Sequence, residues 1–133
     1  MDLKTKKVCL NIKIIVLVMP RVVKGILECM LVPPSSDTLQ LIASLEKDVS
    51  HMGTEWEKSH VKALSHLGQR NMASAVQTWD EILTNYPTDP LALKIATDSY
   101  FWLGDGKNIR ACVEKTMPSW KASTPCYRYL LLE

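Results

Sequence analysis

Long apolar runs are missing from this 133-residue sequence, whose longest uninterrupted stretch, residues 14–19, has six residues. A membrane-spanning helix needs about 20 apolar residues. Lys13 and Arg21 bracket the run, and each would cost about 2.5 to 3.5 kcal/mol near the centre of a spanning helix. We therefore expect no membrane segment, and an anchor formed by residues 1–23 is kept as an alternative.

An excess of charge of one sign is also missing, since 16 basic residues against 14 acidic ones give a formal net charge of +2. A nucleic-acid-binding surface would show as a concentrated basic face. Only Lys4, Lys6 and Lys7 cluster, at the start of the chain, where a short charged segment is usually just solvated. We predict no nucleic-acid partner.

The cysteines lack the CxxC spacing of a metal or redox motif. We interpret Cys9, Cys29, Cys112 and Cys126 as reduced thiols, and we expect Cys112 to pack in a helical core as a small apolar group. Because free thiols are typical of a reducing compartment, the sequence predicts a cytoplasmic protein.

The histidines do not have the spacing of a zinc helix, in which two ligands lie four positions apart. His60 and His66 are six apart. His60 falls in an apolar stripe, so we expect it to pack in the core. His51 and His66 are expected on the surface.

Other catalytic motifs are equally scarce. Cys112 has no local motif that would pair it with a histidine, and the turn at residues 104–106 lacks the lysine of a phosphate loop. Asp80, Glu81 and Asp98 are interpreted as acids on solvated helix faces, not as an acid and base pair. We therefore predict a non-enzymatic chain with no catalytic residue, metal, cofactor or small-molecule substrate.

What the sequence does contain is helical periodicity from Ser36 onward. The first of these helices is predicted to start behind a cap at Ser36 or Asp37 and to end at Gly53 in the left-handed conformation. Thr54 and Glu57 have the spacing of a capping box, so a second helix should begin at about residue 55 and end at Gly68.

The strongest pattern predicts a third helix over residues 72–86. Its apolar positions are Met72, Ala75, Val76, Trp79, Ile82, Leu83 and Tyr86. Pro87 should end it, a fourth helix should start behind Asp89-Pro90, and a fifth should cover about residues 106–116. A sixth is expected from residues 123–125.

Residues 1–35 predict no single structure. The β-branched residues of 11–19 suit a strand, whereas residues 22–32 suit a buried helix that contains Gly25. Pro33 and Pro34 predict a break between Val32 and Ser35, because a residue before proline is pushed out of the helical region.

Aromatic residues are concentrated in the helical region and are expected to pack in the core, since arginines are not interleaved with them as in a base-stacking platform. They are Trp56, Trp79, Tyr86, Tyr100, Phe101, Trp102 and Trp120.

A helical repeat would explain so much apolar surface on short helices, because stacked units cover each other's apolar faces. The helix starts near Thr54 and Thr88 are 34 residues apart, which is the period of the tetratricopeptide repeat. Ala63 and Ala75 occupy small-residue positions of that repeat, and Pro87 its terminal proline. The sequence predicts an all-α fold of antiparallel helix-turn-helix repeats, a tetratricopeptide-like α-solenoid segment.

Three segments are more specific than this pattern: HVKAL, GQRNMASAVQTWDEILTNYPTDPLALKIATDSYFWLG and MPSW. They resemble the tetratricopeptide repeat protein 38 family, over about residues 18–133 and most strongly over 57–120. The resemblance implies the same helical fold, and because family members are several times longer, it implies a fragment. Residues 1–17 stay unassigned, and residues 18–133 are expected to form a repeat segment that is incomplete at its C-terminal end, where Tyr127–Leu132 would receive the next repeat.

The preferred hypothesis is a scaffold for protein–protein interaction within a longer protein, with a protein or peptide partner. Lys62, Lys94 and Asp98 are expected to face its groove, but His60, Leu64, Lys94 and Asp98 do not form a clamp for acidic C-termini. One alternative is the framework portion of a larger helical-scaffold enzyme, which histidines lining a cavity with an acid would favour. The other is a membrane-anchored repeat.

Overall fold

A computed structural model of the chain describes residues 18–124. Within them lie six α-helices, one 3-10 turn and no β-strand. The elements are α1 over residues 18–31, α2 Ser36–Met52, α3 Glu55–Gly68, α4 Met72–Asn85, α5 Pro90–Trp102, α6 Gly106–Thr116 and the 3-10 turn Met117–Ser119. The predicted all-α class is confirmed for this part of the chain. Residues 1–17, the helix predicted after residue 123 and Tyr127–Leu132 lie outside it.

The chain divides into two compact units between Asn71 and Met72. In the described residues, the first unit contains α1 to α3 and the second contains α4 to α6 with the 3-10 turn. The division falls between α3 and α4, the two helices that the sequence pattern assigned to one repeat.

Residues 18–31, left open between strand and helix, form a helix with one buried face. Val18, Val22 and Ile26 recur every four residues and are at most 1% exposed. Gly25 lies on the same buried face of α1. A Cβ added there would lie 2.8 Å from Cδ2 of Leu64 on α3. The glycine therefore lets α1 approach α3 closely. The predicted break at residues 32–35 is confirmed.

The start of α2 differs from the prediction by one residue. Ser35, not Ser36 or Asp37, is the N-cap, and its Oγ accepts from the Thr38 amide at 3.2 Å. Ser35 directly follows the two prolines and has the extended backbone that a cap needs, so the helix begins as soon as the prolines end.

The connection from α2 to α3 is two residues long. Gly53 has φ −78° and ψ 150°, so the predicted left-handed ending was wrong. A glycine is needed there for space, because a Cβ would lie 2.7 Å from Val49 Cβ. The capping box is confirmed: Thr54 Oγ1 accepts from the Glu57 amide at 3.2 Å, and Glu57 Oε2 accepts from the Thr54 amide at 3.0 Å.

In the second unit, the helix bounds match the sequence pattern closely. Asp89 caps α5 by accepting from the Ala92 amide at 3.1 Å, and Pro90 is the first helical residue. Because the cap is Asp89 and not Thr88, the two helix starts at Thr54 and Asp89 are 35 residues apart instead of 34.

The three helices of the second unit contact one another, with α5 against both α4 and α6. Trp79 is fully buried on α4. After the 3-10 turn, Trp120 returns to the corner between α4 and α5, where its indole Nε1 donates to the Pro87 carbonyl oxygen at 3.0 Å. These contacts place polar residues of all three helices next to one another.

Candidate functional site

The carboxylate of Asp80 on α4 connects the three helices of the second unit. Its Oδ2 accepts from the Tyr100 hydroxyl of α5 at 3.1 Å, and its Oδ1 accepts from Cys112 Sγ of α6 at 3.4 Å. Lys115 Nζ of α6 forms an ion pair with Oδ1 and donates to the Asp80 carbonyl oxygen at 3.2 Å. We call Asp80, Tyr100, Cys112 and Lys115 the Asp80 cluster.

Helix periodicity explains how each helix contributes to the cluster. Cys112 and Lys115 are three positions apart on α6 and therefore share a face. Lys115 Nζ also donates to Thr84 Oγ1 at 3.3 Å, and Thr84 lies one helical turn after Asp80 on α4. The lysine thus spans a full turn of the neighbouring helix.

The cluster shifts the pKa of three of its members. Partial burial favours the protonated form of Asp80, but the hydrogen bond and charge of Lys115, with the bonds from Cys112 and Tyr100, outweigh it and lower the pKa below its ordinary value. Burial and then the Asp80 charge raise the pKa of Cys112 to about 12. The same two causes raise the pKa of Tyr100 above its usual value.

These shifts fix the chemistry available at neutral pH. Asp80 is a carboxylate that accepts from three side chains, and Cys112 and Tyr100 are neutral donors. A thiol is a poor nucleophile until it ionises, so the arrangement is suited to holding helices together. The Asp80 side chain is 34% exposed, so it does lie on a solvated face, but it also bonds to two neighbouring helices, which the sequence did not indicate. The interpretation of Cys112 as a core residue is confirmed, since it is 2% exposed.

An open groove of about 480 Å³ is formed by residues of α2 and α3 in the first unit. It is lined by Glu46, Val49, Ser50, Lys58, Val61, Lys62, Ser65 and His66. We call it the α2–α3 groove. Lys62 lies on this groove, and Lys94 and Asp98 form an ion pair at 3.2 Å on α5. The expectation that all three face the groove of a repeat stack stays a prediction.

The histidines occupy three different environments. His60 is fully buried, and its ring meets that of Trp56 edge to face with centroids 5.1 Å apart, which confirms the predicted core position. His51 is exposed as predicted. His66 is half-buried and lines the open α2–α3 groove, so it also lies at the surface, although less exposed than His51.

Some of the aromatic residues are buried and others are exposed, so the expectation that all would pack in the core was wrong. Trp79, Tyr100 and Trp120 are buried, but Phe101 and Trp102 are each 71% exposed. Their rings meet edge to face with centroids 6.3 Å apart, and Leu103 beside them is also exposed. We call Phe101, Trp102 and Leu103 the aromatic patch. Tyr86 is exposed as well, and Trp56 is half-buried.

Neither a metal site nor a membrane-spanning helix lies within residues 18–124. No group of three His, Cys, Asp or Glu side chains in that range is arranged to hold a metal ion. None of the helices described there has both the length and the apolar character needed to cross a bilayer. Cys29 and Cys112 are both free thiols, as expected.

No protein-family model matches the chain, and no solved structure gives a significant match. The likeness to the tetratricopeptide repeat protein 38 family therefore stays a prediction from the sequence.

Proposed function

We propose that the chain is a non-enzymatic, cytoplasmic helical-repeat segment of a longer protein and acts as a scaffold for protein–protein interaction. The observation that carries the proposal is the aromatic patch, in which Phe101 and Trp102 are each 71% exposed. Exposed apolar patches mark interaction surfaces, and aromatic residues dominate binding hot spots. A partner that covers the patch would remove this apolar surface from water.

The spacing of the helix starts and the contacts within the second unit support the repeat arrangement. The two N-caps, Thr54 and Asp89, are 35 residues apart, which is close to the 34-residue tetratricopeptide period. α5 contacts α6, its partner in the second predicted repeat, and also α4 before it. Contact with both neighbours is what a stack of repeats requires.

The Asp80 cluster supports a structural role over a catalytic one. A general base needs a free lone pair that reaches a substrate proton. In Asp80, three of the about four acceptor sites of the carboxylate are taken by Tyr100, Cys112 and Lys115, and each of these donors comes from a helix packed against α4.

Quantitative co-purification tests this function. The full-length protein would be tagged in cells as wild type, as Phe101→Ser with Trp102→Ser, and as a control with Leu27→Ser and Leu31→Ser, which replaces two exposed apolar side chains of α1. We expect partners to be lost from the first variant and retained by the control. Equal partner recovery from all three proteins would contradict the proposal.

A framework role within a larger enzyme is the second candidate, and one observation favours it. His66 and Glu46 line the same groove, which brings a histidine and an acid together. Incubation of a metabolite extract with the full-length protein, and with the same protein after heat denaturation, would test it. A conversion that only the native protein performs would support the enzyme, and identical metabolite profiles would contradict it.

A further inference from the structure

A second apolar stripe runs along α1, beside its buried face. Val23, Leu27 and Leu31 recur every four residues and are 37%, 54% and 80% exposed, and we call them the α1 stripe. Val32, directly after the helix, is exposed as well. Because each helical residue turns by about 100°, Val23 lies about 100° around α1 from the buried Val22. Within residues 18–124, α1 is therefore apolar on two faces, of which only one is covered.

The charged residues of α1 leave the stripe open to an anionic surface. Lys24 is 67% exposed and lies three positions before Leu27, so it flanks the stripe. The carboxylate of Glu28 accepts from Thr38 Oγ1 on α2 at 2.9 Å, and its exposed pair with Lys24, at 3.7 Å, is weak. Arg21 pairs with a carboxylate of α2 at 2.6 Å. The acidic residue of α1 is thus held against α2, whereas Lys24 borders the stripe.

Charge is distributed unevenly along the chain. Residues 1–24 contain six basic residues and one acidic residue, whereas residues 25–133 contain ten basic and thirteen acidic residues. The first segment therefore has a net charge of +5 and the rest of the chain −3. Lys13 is five positions before α1, and an extended chain of that length spans at most about 18 Å. Chain connectivity thus keeps part of this positive charge near the α1 stripe.

The apolar stripe and the local positive charge together distinguish between three possible occupants. A nucleic acid would attract the cations through its phosphates, but it would leave the stripe in water. A second copy of the chain could cover the stripe, but it would bring two segments of net charge +5 together, and like charges repel. An anionic bilayer satisfies both features, because cationic amphipathic helices bind it through apolar burial and through attraction to its headgroups.

We propose that α1 lies on the surface of an anionic lipid bilayer, with the α1 stripe at the apolar edge of the headgroup region and the cations of residues 1–24 at the phospholipid phosphates. The inference goes beyond the scaffold function, because it states where the scaffold is held. The α1 stripe is in the first unit and the aromatic patch is in the second, so the two surfaces are tested by separate variants.

Vesicle co-sedimentation with the full 133-residue chain tests the proposal. Vesicles of phosphatidylcholine with about 30% phosphatidylserine should bind the chain at least about fivefold more tightly than vesicles of pure phosphatidylcholine, because the cations need an anionic surface. Raising the NaCl concentration from about 0.1 to about 0.5 M should weaken this binding at least about threefold, because salt screens the attraction. Equal binding to the two kinds of vesicle, or binding to neither, would overturn the proposal.

The first pair of variants tests the apolar contribution. Leu27→Ser with Leu31→Ser should weaken binding to the anionic vesicles at least about fivefold, because it removes the apolar side chains that enter the interface. Both leucines are exposed, so the fold should be retained, which a thermal melt followed by circular dichroism checks. Phe101→Ser with Trp102→Ser also removes two exposed apolar side chains and should change binding less than about twofold. Equal losses in the two variants would overturn the proposal.

The second pair of variants tests the charge contribution and does not touch a helix of the described residues in its first member. Lys6→Glu with Lys7→Glu should weaken binding at least about fivefold. Lys107→Glu with Lys121→Glu, at exposed positions of the second unit, changes the net charge of the chain equally and should weaken binding less than about twofold. Equal losses would show that only net charge matters and would overturn the proposal.

The competing occupants are tested directly. Sedimentation velocity should give the same mass for the wild type and for Leu27→Ser with Leu31→Ser, and a dimer that these substitutions dissociate would overturn the proposal in favour of a second copy. Single-stranded RNA at equal phosphate concentration should not displace the chain from anionic vesicles, and displacement would favour a nucleic acid. If partner recovery depends on Phe101 and Trp102 while no vesicle binds, this inference alone fails. Vesicle binding without any effect of the patch on partner recovery removes only the function proposed for the aromatic patch.

Discussion

The Tyr100 hydroxyl donates to Asp80 Oδ2 at 3.1 Å, and the other carboxylate oxygen pairs with Lys115. Tyr100 is on α5 and Lys115 on α6, so a single side chain of α4 holds both neighbouring helices. The bonding partners of Asp80 are 20, 32 and 35 positions away in the sequence. The second unit therefore depends on contacts between residues far apart along the chain.

Substitutions in this cluster should destabilise the second unit in a defined order. Tyr100→Phe removes one hydrogen bond and should lower the free energy of unfolding by about 1 kcal/mol. Asp80→Ala removes the acceptor of all three donors and should lower it by about 2 to 3 kcal/mol. Urea denaturation, monitored by amide hydrogen exchange in α4 to α6, measures the unfolding free energy of both variants. If the Asp80→Ala protein were as stable as the Tyr100→Phe protein, Asp80 would not be the common acceptor of the three donors.

Acid should weaken the same unit through Asp80. Its pKa is lowered in the folded chain from 3.8, so the unfolded state binds the proton more readily. The stabilisation that ionised Asp80 provides is complete above pH 3.8, the pKa of the unfolded state. It is lost as the pH falls through the lower pKa of the folded state. Chemical denaturation between pH 2 and 6 should show this decline, and Asp80→Asn should show a shallower one. Parallel curves for the two proteins would contradict the assignment.

Thiol alkylation should report on the burial of Cys112. Its pKa is raised from 9.0 to about 12, so the reactive thiolate is scarce near neutral pH. Iodoacetamide should modify Cys112 at least tenfold more slowly in the folded chain than in urea, with mass spectrometry separating the four cysteines. As the pH rises above 9.0, the unfolded state ionises first and the stability contributed by the neutral thiol declines. Equal folded and unfolded rates would refute the burial.

Two tryptophan substitutions should differ strongly in their effect on the free energy of unfolding. Trp79→Ala empties a fully buried position and should cost about 3 to 5 kcal/mol of unfolding free energy. Trp102 is 71% exposed, and surface substitutions usually stay within about 0.5 kcal/mol. Thermal melts of Trp79→Ala and Trp102→Ala compare the two directly. A large loss from Trp102→Ala would mean that the patch is part of a core.

Local signals account for what the sequence predicted well. The capping box at Thr54 and the Asp89-Pro90 start depend on residues within three positions of each other, so they can be recognised without tertiary structure. The Asp80 cluster cannot be recognised in this way, because only the packing of α4, α5 and α6 brings its members together. In the sequence alone, Asp80 occupies a helix position that is typical of an ordinary surface acid.

The aromatic patch was missed although helix geometry contains the necessary information. Tyr100, Phe101 and Trp102 are consecutive, and neighbouring residues on a helix point about 100° apart. One helix face cannot bury all three. Tyr100 faces α4, where Asp80 accepts from its hydroxyl, and the next two side chains are left exposed.

Hydroxyl-radical footprinting tests the interaction function most directly. The full-length protein would be oxidised alone and in the complex recovered from cells, and oxidation at Phe101 and Trp102 would be quantified by mass spectrometry. Trp79, which is fully buried, serves as the internal reference. We expect the oxidation of Trp102 to fall several-fold in the complex, while that of Trp79 stays low in both samples. Unchanged oxidation of Phe101 and Trp102 in a partner-bound protein would contradict it.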